Sequence, residues 1–252
     1  TDLDKLALST EKLLAGTDSE ITTVGYYCNP IQYAEHRKTL ENVICTAGKF
    51  GATHVSTFAG AWEGKPVESA YEEFGKVFRE LADLAEEKGV KLGIENCLMD
   101  GTWEHATCNI GFNPKAWEVM FEEVKNDNFG LEWEPTHQMV QLIDPVTELR
   151  KWCKKIVHIH GKDATIDWDA VRHSGISGAV PFVWHRMPGF GDTNWRDIIS
   201  ILRSNGYEDD ICIEGYHDPV YSGELEMTGQ LHALNYLKWC RGGDFTPTPW
   251  AK

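Results

Sequence analysis

Short apolar segments alternate with longer amphipathic segments along almost the whole of this 252-residue chain. The apolar segments have the length of buried strands and are bounded by turn residues, whereas the amphipathic segments carry apolar residues at helical spacing. This alternation favours a parallel sheet, because each parallel strand needs a crossover helix before the next. The predicted strands are residues 21–27, 54–60, 90–97, 129–137, 156–163, 181–187 and 210–217.

Helical segments fill the intervals between these strands, and one of them opens the chain. Asn-Pro at 113–114 and Asp-Pro at 144–145 predict N-caps followed by proline in the first turn. Gly89 and Gly206 fall where a helix should end. The other predicted helices cover residues 33–47, 67–88, 114–126, 145–155, 194–205 and 224–240.

These elements predict an α/β chain with the (β/α)8 TIM barrel fold. Seven strands and an opening helix fit eight strand–helix units, with the first strand absent from the given sequence. A doubly wound sheet fits less well, because no GxGxxG phosphate turn is present. We expect a single domain over residues 1–252 with an irregular tail from about residue 241, since no linker divides the chain.

Composition excludes two classes of partner. The chain has 24 basic and 39 acidic side chains, for a net charge of -15, and lacks a basic stripe for a phosphate backbone. No apolar segment reaches the roughly 20 residues that span a bilayer. We therefore expect no nucleic acid and no membrane partner. The seven cysteines form an odd set without a CxxC pair, which favours a reducing, cytoplasmic location.

Four predicted strands end in a carboxylate or an imidazole. In residues 90–97, Leu92 and Ile94 share one face, so Glu95 takes the opposite face. The same alternation holds in three further strands, and at barrel strand ends such residues line the mouth of the active site. A single residue of this kind is commonly solvated or structural, but four in the same phase favour a shared site. The four residues are Glu95, Glu134, His160 and Glu214.

Three converging carboxylates need a cation, because each buried charge without a partner costs several kcal/mol. Three carboxylates and one imidazole suit one divalent ion, with manganese first and magnesium, cobalt or zinc as alternatives. Glu132 and His158 lie one layer deeper on the same strands. We expect them either to support the ligands or to bind the ion themselves, with substrate contact as a further possibility for His158.

Five motifs carry a resemblance to a known superfamily: "GIEN" (93–96), "EPTH" (134–137), "HIHGKD" (158–163), "HRMPGFGDTNW" (185–195) and "GYEDDICIEGYHDP" (206–219). With them, residues 21 to 240 resemble the sugar phosphate isomerase/epimerase superfamily. These xylose-isomerase-like barrels include ketose 3-epimerases, inosose dehydratases and C-glycoside deglycosidases.

The resemblance implies a ligand set and two catalytic roles. In such enzymes Glu, Asp, His and Glu hold the metal, and they map onto Glu95, Glu134, His160 and Glu214. Glu134 departs from this pattern because it is one methylene longer than the usual Asp. The resemblance also implies that Glu95 and Glu214 serve as base and acid.

The implied reaction is isomerisation or epimerisation of a sugar. A divalent ion bound to a hydroxyl and a neighbouring carbonyl oxygen stabilises the enediolate formed when the carbon between them loses its proton. We expect His137 and Arg186 to bind substrate oxygens. Lys162 and Asp163 are interpreted either as a paired surface turn or as part of the site.

Other readings remain open. A lyase of the same superfamily, of the dehydratase or C-deglycosylation type, would use the same enediolate to expel a leaving group. We expect a homo-oligomer, or a hetero-oligomer with a second subunit if the lyase reading holds. A metal-dependent endonuclease would need more histidines and a basic surface. A sugar-binding barrel without catalysis would leave the protons of the sugar carbons unexchanged.

Overall fold

The computed structural model describes residues 2–243 and 246–248. These residues form two compact units, and each unit is made of two separate stretches of the chain. The first unit extends to Gln138 and includes Lys154–Ile159; the second comprises Met139–Cys153 and the chain from His160 onward. The expected single domain stays a prediction. Parts of the expected irregular tail, residues 244–245 and 249–252, lie outside the described residues.

The first unit is built on parallel strands in sequential order, as the strand–helix alternation predicts. Each strand pairs in parallel with the next one along the chain. The strands are β1 (Thr23–Gly25), β2 (His54–Thr57), β3 (Lys91–Glu95), β4 (Phe129–Trp133) and β5 (Ile156–Gly161), whose last two residues belong to the second unit. The helices are α1 (Leu3–Leu14), α2 (Ala34–Thr46), α3 (Tyr71–Glu87), α4 (Pro114–Glu123) and α5 (Pro135–Met139), whose last residue belongs to the second unit.

Helix α3 shows why these segments form helices. Its buried residues recur every three or four positions, so one face packs inward while the acidic face stays exposed. Phe74 and Phe78 stack with their ring centroids 4.6 Å apart, and Phe78 lies 6.0 Å from Phe129 of β4. The helix ends before Gly89, whose φ of +69° is the left-handed conformation that the sequence predicts there.

Strand β4 ends earlier than the sequence predicts. Pro135 cannot donate to a strand ladder, and it begins the five-residue helix α5 instead of extending the strand to residue 137. Gly130 sets the packing of β4 on β5, because a Cβ there would lie 2.4 Å from the carbonyl oxygen of Lys155. The register between the two strands shifts next to it, between Leu131 and Glu132.

The second unit departs from the expected strand arrangement. Residues 183–186 form a strand as predicted, but this strand pairs antiparallel with Asp163–Ile166 in a separate two-stranded sheet. The elements are α6 (Pro145–Trp152), β6 (Asp163–Ile166), α7 (Trp168–Ser174), β7 (Val183–Arg186), α8 (Trp195–Ser204), β8 (Ile211–Ile213) and α9 (Glu226–Arg241). Strand β8 lies beside the end of β5, where the Glu214 amide donates to the Gly161 carbonyl over 3.1 Å.

Helix caps in both units follow the predicted signals. Asn113 accepts from the backbone N–H of Lys115 over 3.0 Å, and Asp144 accepts from that of Thr147 over 2.8 Å. A search of the described residues finds no helix with the length and apolar character needed to cross a bilayer.

Candidate metal centre

Two predicted ligands of the first unit lie at adjacent strand ends. Glu95 is the last residue of β3, and Glu134 directly follows β4; their exposed fractions are 7% and 0%. The side-chain amide of Asn96 joins the two ends like a peptide group. It donates to the Glu134 carbonyl over 2.9 Å and accepts from the Glu134 N–H over 2.7 Å. Both carboxylates therefore start from a fixed main chain.

A second buried amide fixes the segment that follows β3. Asn109 donates from Nδ2 to the carbonyl oxygens of Glu95, at 2.9 Å, and Cys97, at 2.8 Å. Its Oδ1 accepts from the backbone N–H groups of Ala59, at 3.0 Å, and Gly111, at 2.9 Å. One side chain thus satisfies four main-chain groups that would otherwise be buried at a cost.

His137 lies on α5 against the same carboxylates. Its Nε2 is 3.3 Å from Glu134 Oε1 and 3.9 Å from Glu95 Oε1. Thr136 also donates its hydroxyl to Glu134 Oε1. Burial acts to lower the pKa of His137, but Glu134, Cys97 and Glu95 outweigh burial and raise that pKa well above its ordinary value.

The deeper polar layer of the first unit is a connected network. The Tyr27 hydroxyl donates to Glu132 Oε2 over 2.8 Å, and Nε2 of His158 lies 3.8 Å from Glu132 Oε1. The Thr23 hydroxyl lies 3.4 Å from the His158 ring nitrogens. Glu132 and His158 are 0% and 2% exposed, which fits the supporting position expected for them.

The second unit brings His160, Lys162 and Glu214 together. Lys162 donates from Nζ to Glu214 Oε1 over 2.8 Å, and His160 Nδ1 lies 3.3 Å from Glu214 Oε2. Within the described residues, Glu214 Oε2 is buried and accepts no hydrogen bond. A nitrogen and an oxygen at this separation without hydrogen-bond geometry are placed as two ligands of one ion would be.

The surface-turn interpretation of Lys162 and Asp163 is wrong. Their exposed fractions are 4% and 0%. Asp163 accepts from the backbone N–H groups of Ala164, Gly189 and Thr193 at 2.9 to 3.0 Å. Burial nevertheless raises the pKa of Asp163. The local signal was ambiguous because a Gly-Lys-Asp run is also typical of exposed turns.

Arg186, expected to bind substrate, contacts a buried carboxylate. Its Nε donates to Asp218 Oδ2 over 3.4 Å, and its guanidinium lies 5.8 Å from the centroid of the Phe190 ring. Asp218 also accepts from the backbone N–H of Met187 over 2.7 Å. Burial acts to raise the pKa of Asp218, but backbone donors and Arg186 lower it overall. The substrate role of Arg186 stays a prediction.

The predicted residues thus form two local groups, one in each unit. The first unit gathers Glu95, Glu134 and His137, and places His158 beside Glu132; the second gathers His160 and Glu214. Sequence reasoning gave no role to Cys97. It also missed Asn96 and Asn109, because amide side chains that bind main-chain groups leave no periodic signal.

Comparison with known proteins now assigns the family. The family model described as xylose isomerase-like TIM barrel matches residues 3–238. The chain belongs to this family. The predicted α/β TIM barrel fold is therefore confirmed.

Known proteins that match this chain in sequence have low sequence identity to it. Inosose dehydratase of Clostridium tetani is 26% identical over 182 residues, which cover 70% of this chain and 57% of that protein. The chain thus spans little more than half the length of this relative.

Two solved structures share the fold of this chain. The IOLI protein, whose crystal structure contains a bound zinc atom, aligns with a TM-score of 0.66 and 21% identity, covering 95% of this chain and 80% of that chain. D-psicose 3-epimerase, crystallised in the presence of D-fructose, aligns with a TM-score of 0.69 and 16% identity, covering 96% and 84%. At these identities the likeness concerns the fold.

Proposed function

We propose that the chain is a divalent-metal-dependent enzyme that removes a proton next to the carbonyl of a keto sugar or related polyol ketone. Glu95, Glu134, His160 and Glu214 are the proposed ligands of one ion. In support, each lies at, or directly after, the carboxyl end of a strand, where barrels carry their active sites. The donor set of three carboxylates and one imidazole suits manganese, and zinc is an alternative because a family neighbour contains it.

The observation that carries this proposal is the setting of Glu214. One carboxylate oxygen is held by Lys162 Nζ at 2.8 Å, and the other lies 3.3 Å from His160 Nδ1. A carboxylate fixed in this way has one defined orientation for receiving or returning a proton. When bound, the ion would polarise the substrate carbonyl and stabilise negative charge on the neighbouring oxygen.

The protein's own groups would handle the proton. Glu214 is proposed to take the proton from the carbon next to the carbonyl, and Glu95 to serve as the partner acid. His137, held by Glu134, is proposed to bind a substrate oxygen. Lys162 donates to Glu214 and prevents the carboxylate from turning away.

Two outcomes can follow this shared step. Elimination of a group from the β-position would make the enzyme a lyase, and we favour this outcome because the sequence relatives include inosose dehydratase. Return of the proton would make it an epimerase or isomerase, which the likeness to D-psicose 3-epimerase favours at the level of the fold. A small sugar or cyclitol is the proposed substrate class in both cases, in a cytoplasmic oligomer.

Isotope exchange tests the shared step separately from its outcome. The protein with Mn²⁺ is incubated with candidate keto sugars and inososes in deuterated water, and label at the carbon next to the carbonyl is followed by NMR. We expect exchange in the parent and about a 10²-fold to 10⁴-fold slower exchange in Glu214→Gln, the usual contribution of a general base. Appearance of a dehydrated product identifies the lyase.

The exposed Glu208, which precedes β8, supplies the matched control. Glu208→Gln removes the same charge without touching the proposed site, so it should exchange at the parent rate. Equal rates for Glu214→Gln and the parent would exclude the role given to Glu214. Loss of exchange in both variants would point to a nonspecific effect on the fold.

A further inference from the structure

We propose that Glu95, Cys97 and His137 form an additional metal site, one that takes a thiophilic divalent ion such as Zn²⁺, Co²⁺ or Cd²⁺. One ligand atom from each of these side chains lies within 4.8 Å of the others. All three belong to the first unit. This site goes beyond the proposed function, because Cys97 takes no part in the proposed reaction.

The separations suit a small tetrahedral ion. Zinc binds sulfur at about 2.3 Å and imidazole nitrogen at about 2.0–2.1 Å, which places tetrahedral ligands roughly 3.5 Å apart. Side-chain rotations that move the ligand atoms by about an ångström would bring the three atoms to that spacing. Three protein ligands of different type, with a fourth position open, are the arrangement of many zinc sites in enzymes.

The main chain that carries two of the ligands is already fixed. Asn109 holds the carbonyl oxygens of Glu95 and Cys97 at 2.9 and 2.8 Å, and Asn109 itself is fully buried. The sulfur of Cys97 and a ring nitrogen of His137 already lie within 4.8 Å of each other. Binding an ion would therefore order few new torsions, which lowers its entropic cost.

Sulfur determines which ions this site selects. Thiolate ligands favour zinc over manganese and magnesium, which favour oxygen ligands. Glu95 is common to this site and to the proposed catalytic set. An ion held by Cys97 and His137 would therefore draw Glu95 away from proton transfer, and excess zinc should inhibit the manganese enzyme.

The test is a spectroscopic titration of the full chain, reduced and freed of metal. Adding up to one equivalent of Co²⁺ should give the near-ultraviolet charge-transfer band of a cobalt–thiolate bond. Cys97→Ser should lose this band, because serine supplies no thiolate. His137→Gln should bind Co²⁺ at this site more weakly, so the band should reach half its full height at a higher Co²⁺ concentration.

Cys108→Ser is the matched control, because Cys108 lies in the same loop and is partly buried like Cys97. It should keep the band. Glu214→Gln should also keep the band while isotope exchange is lost, so failure of the catalytic proposal and failure of this one are distinguishable. An unchanged band in Cys97→Ser, or loss of the band in either Cys108→Ser or Glu214→Gln, would overturn the proposal.

Discussion

The two units hold their carboxylates by different means. In the first unit, buried amides bind the main chain around Glu95 and Glu134, through Asn96 and Asn109. In the second unit, the charged side chain of Lys162 binds the carboxylate of Glu214 itself. A carboxylate can thus be positioned either through its backbone or through an ion pair of its side chain, and the two arrangements should respond differently to mutation.

The largest effect should come from the amide that holds the backbone. Asn109→Ala leaves four main-chain groups without their partner, and each such buried group costs about 1–3 kcal/mol. We expect the free energy of unfolding to fall by about 4 kcal/mol or more, measured by urea denaturation. If Asn109→Ala unfolded at the same urea concentration as the parent, the hydrogen bonds of Asn109 would not be what stabilises the main chain of the first unit.

Asn126→Ala is the control for that comparison. Asn126 donates to Asp83 and Glu86 on the surface at 2.9 and 3.1 Å. Its removal should change the free energy of unfolding by only about 0.5 kcal/mol.

A smaller effect, on activity, should come from the ion pair of the second unit. Lys162→Met removes the hydrogen bond to Glu214, and a hydrogen bond to a charged group contributes about 1.5–3 kcal/mol. We expect the rate of isotope exchange, and kcat, to fall about 10-fold to 100-fold with KM little changed. Lys162→Arg should recover part of the loss.

Lys151→Met serves as its control, because Lys151 pairs with Glu148 on an exposed face. That variant should keep the parent kcat. A stability loss in Lys162→Met as large as that in Asn109→Ala, with kcat unchanged, would show that Lys162 supports the fold and not the orientation of Glu214.

The smallest effect should come from the deeper network of the first unit. Tyr27→Phe removes the hydroxyl that donates to Glu132, and a single hydrogen bond contributes about 0.5–1.5 kcal/mol net. We expect a fall of about 1 kcal/mol in the free energy of unfolding, read from the thermal midpoint. The neighbouring substitution Tyr26→Phe should leave the midpoint unchanged, since in the described chain its hydroxyl donates no hydrogen bond. Equal shifts of the thermal midpoint in Tyr26→Phe and Tyr27→Phe would show that the hydrogen bond from Tyr27 to Glu132 does not stabilise the fold.

Local sequence patterns were enough to predict most of the helices and strands. The Asn-Pro and Asp-Pro pairs gave two helix starts, and the alternation around Glu95 placed it at a strand end, because caps and side-chain alternation depend on neighbours in sequence. The antiparallel pairing of β7 could not be read in this way. Pairing depends on a distant partner, here Asp163–Ile166, and on no local period.

The residues of the candidate site were predictable from the same local patterns. Glu95, Glu134, His160 and Glu214 stand out because strand alternation makes a polar residue at a strand end visible. The placement of Lys162 against Glu214 did not stand out, because 52 residues separate them in the chain. The short helix α5, which carries His137, was hidden because five residues are too few to show helical periodicity.

The four hydrogen bonds of Asn109 have a consequence for how this unit can diverge. They close the segment between Cys97 and Asn109 into a loop whose two ends are pinned beside the strand. Met99 and Asp100, which closely follow Cys97 in this segment, are exposed and have positive φ values. Insertions or exchanges at these exposed positions can therefore change the surface of the loop while the backbone of Glu95 keeps its place.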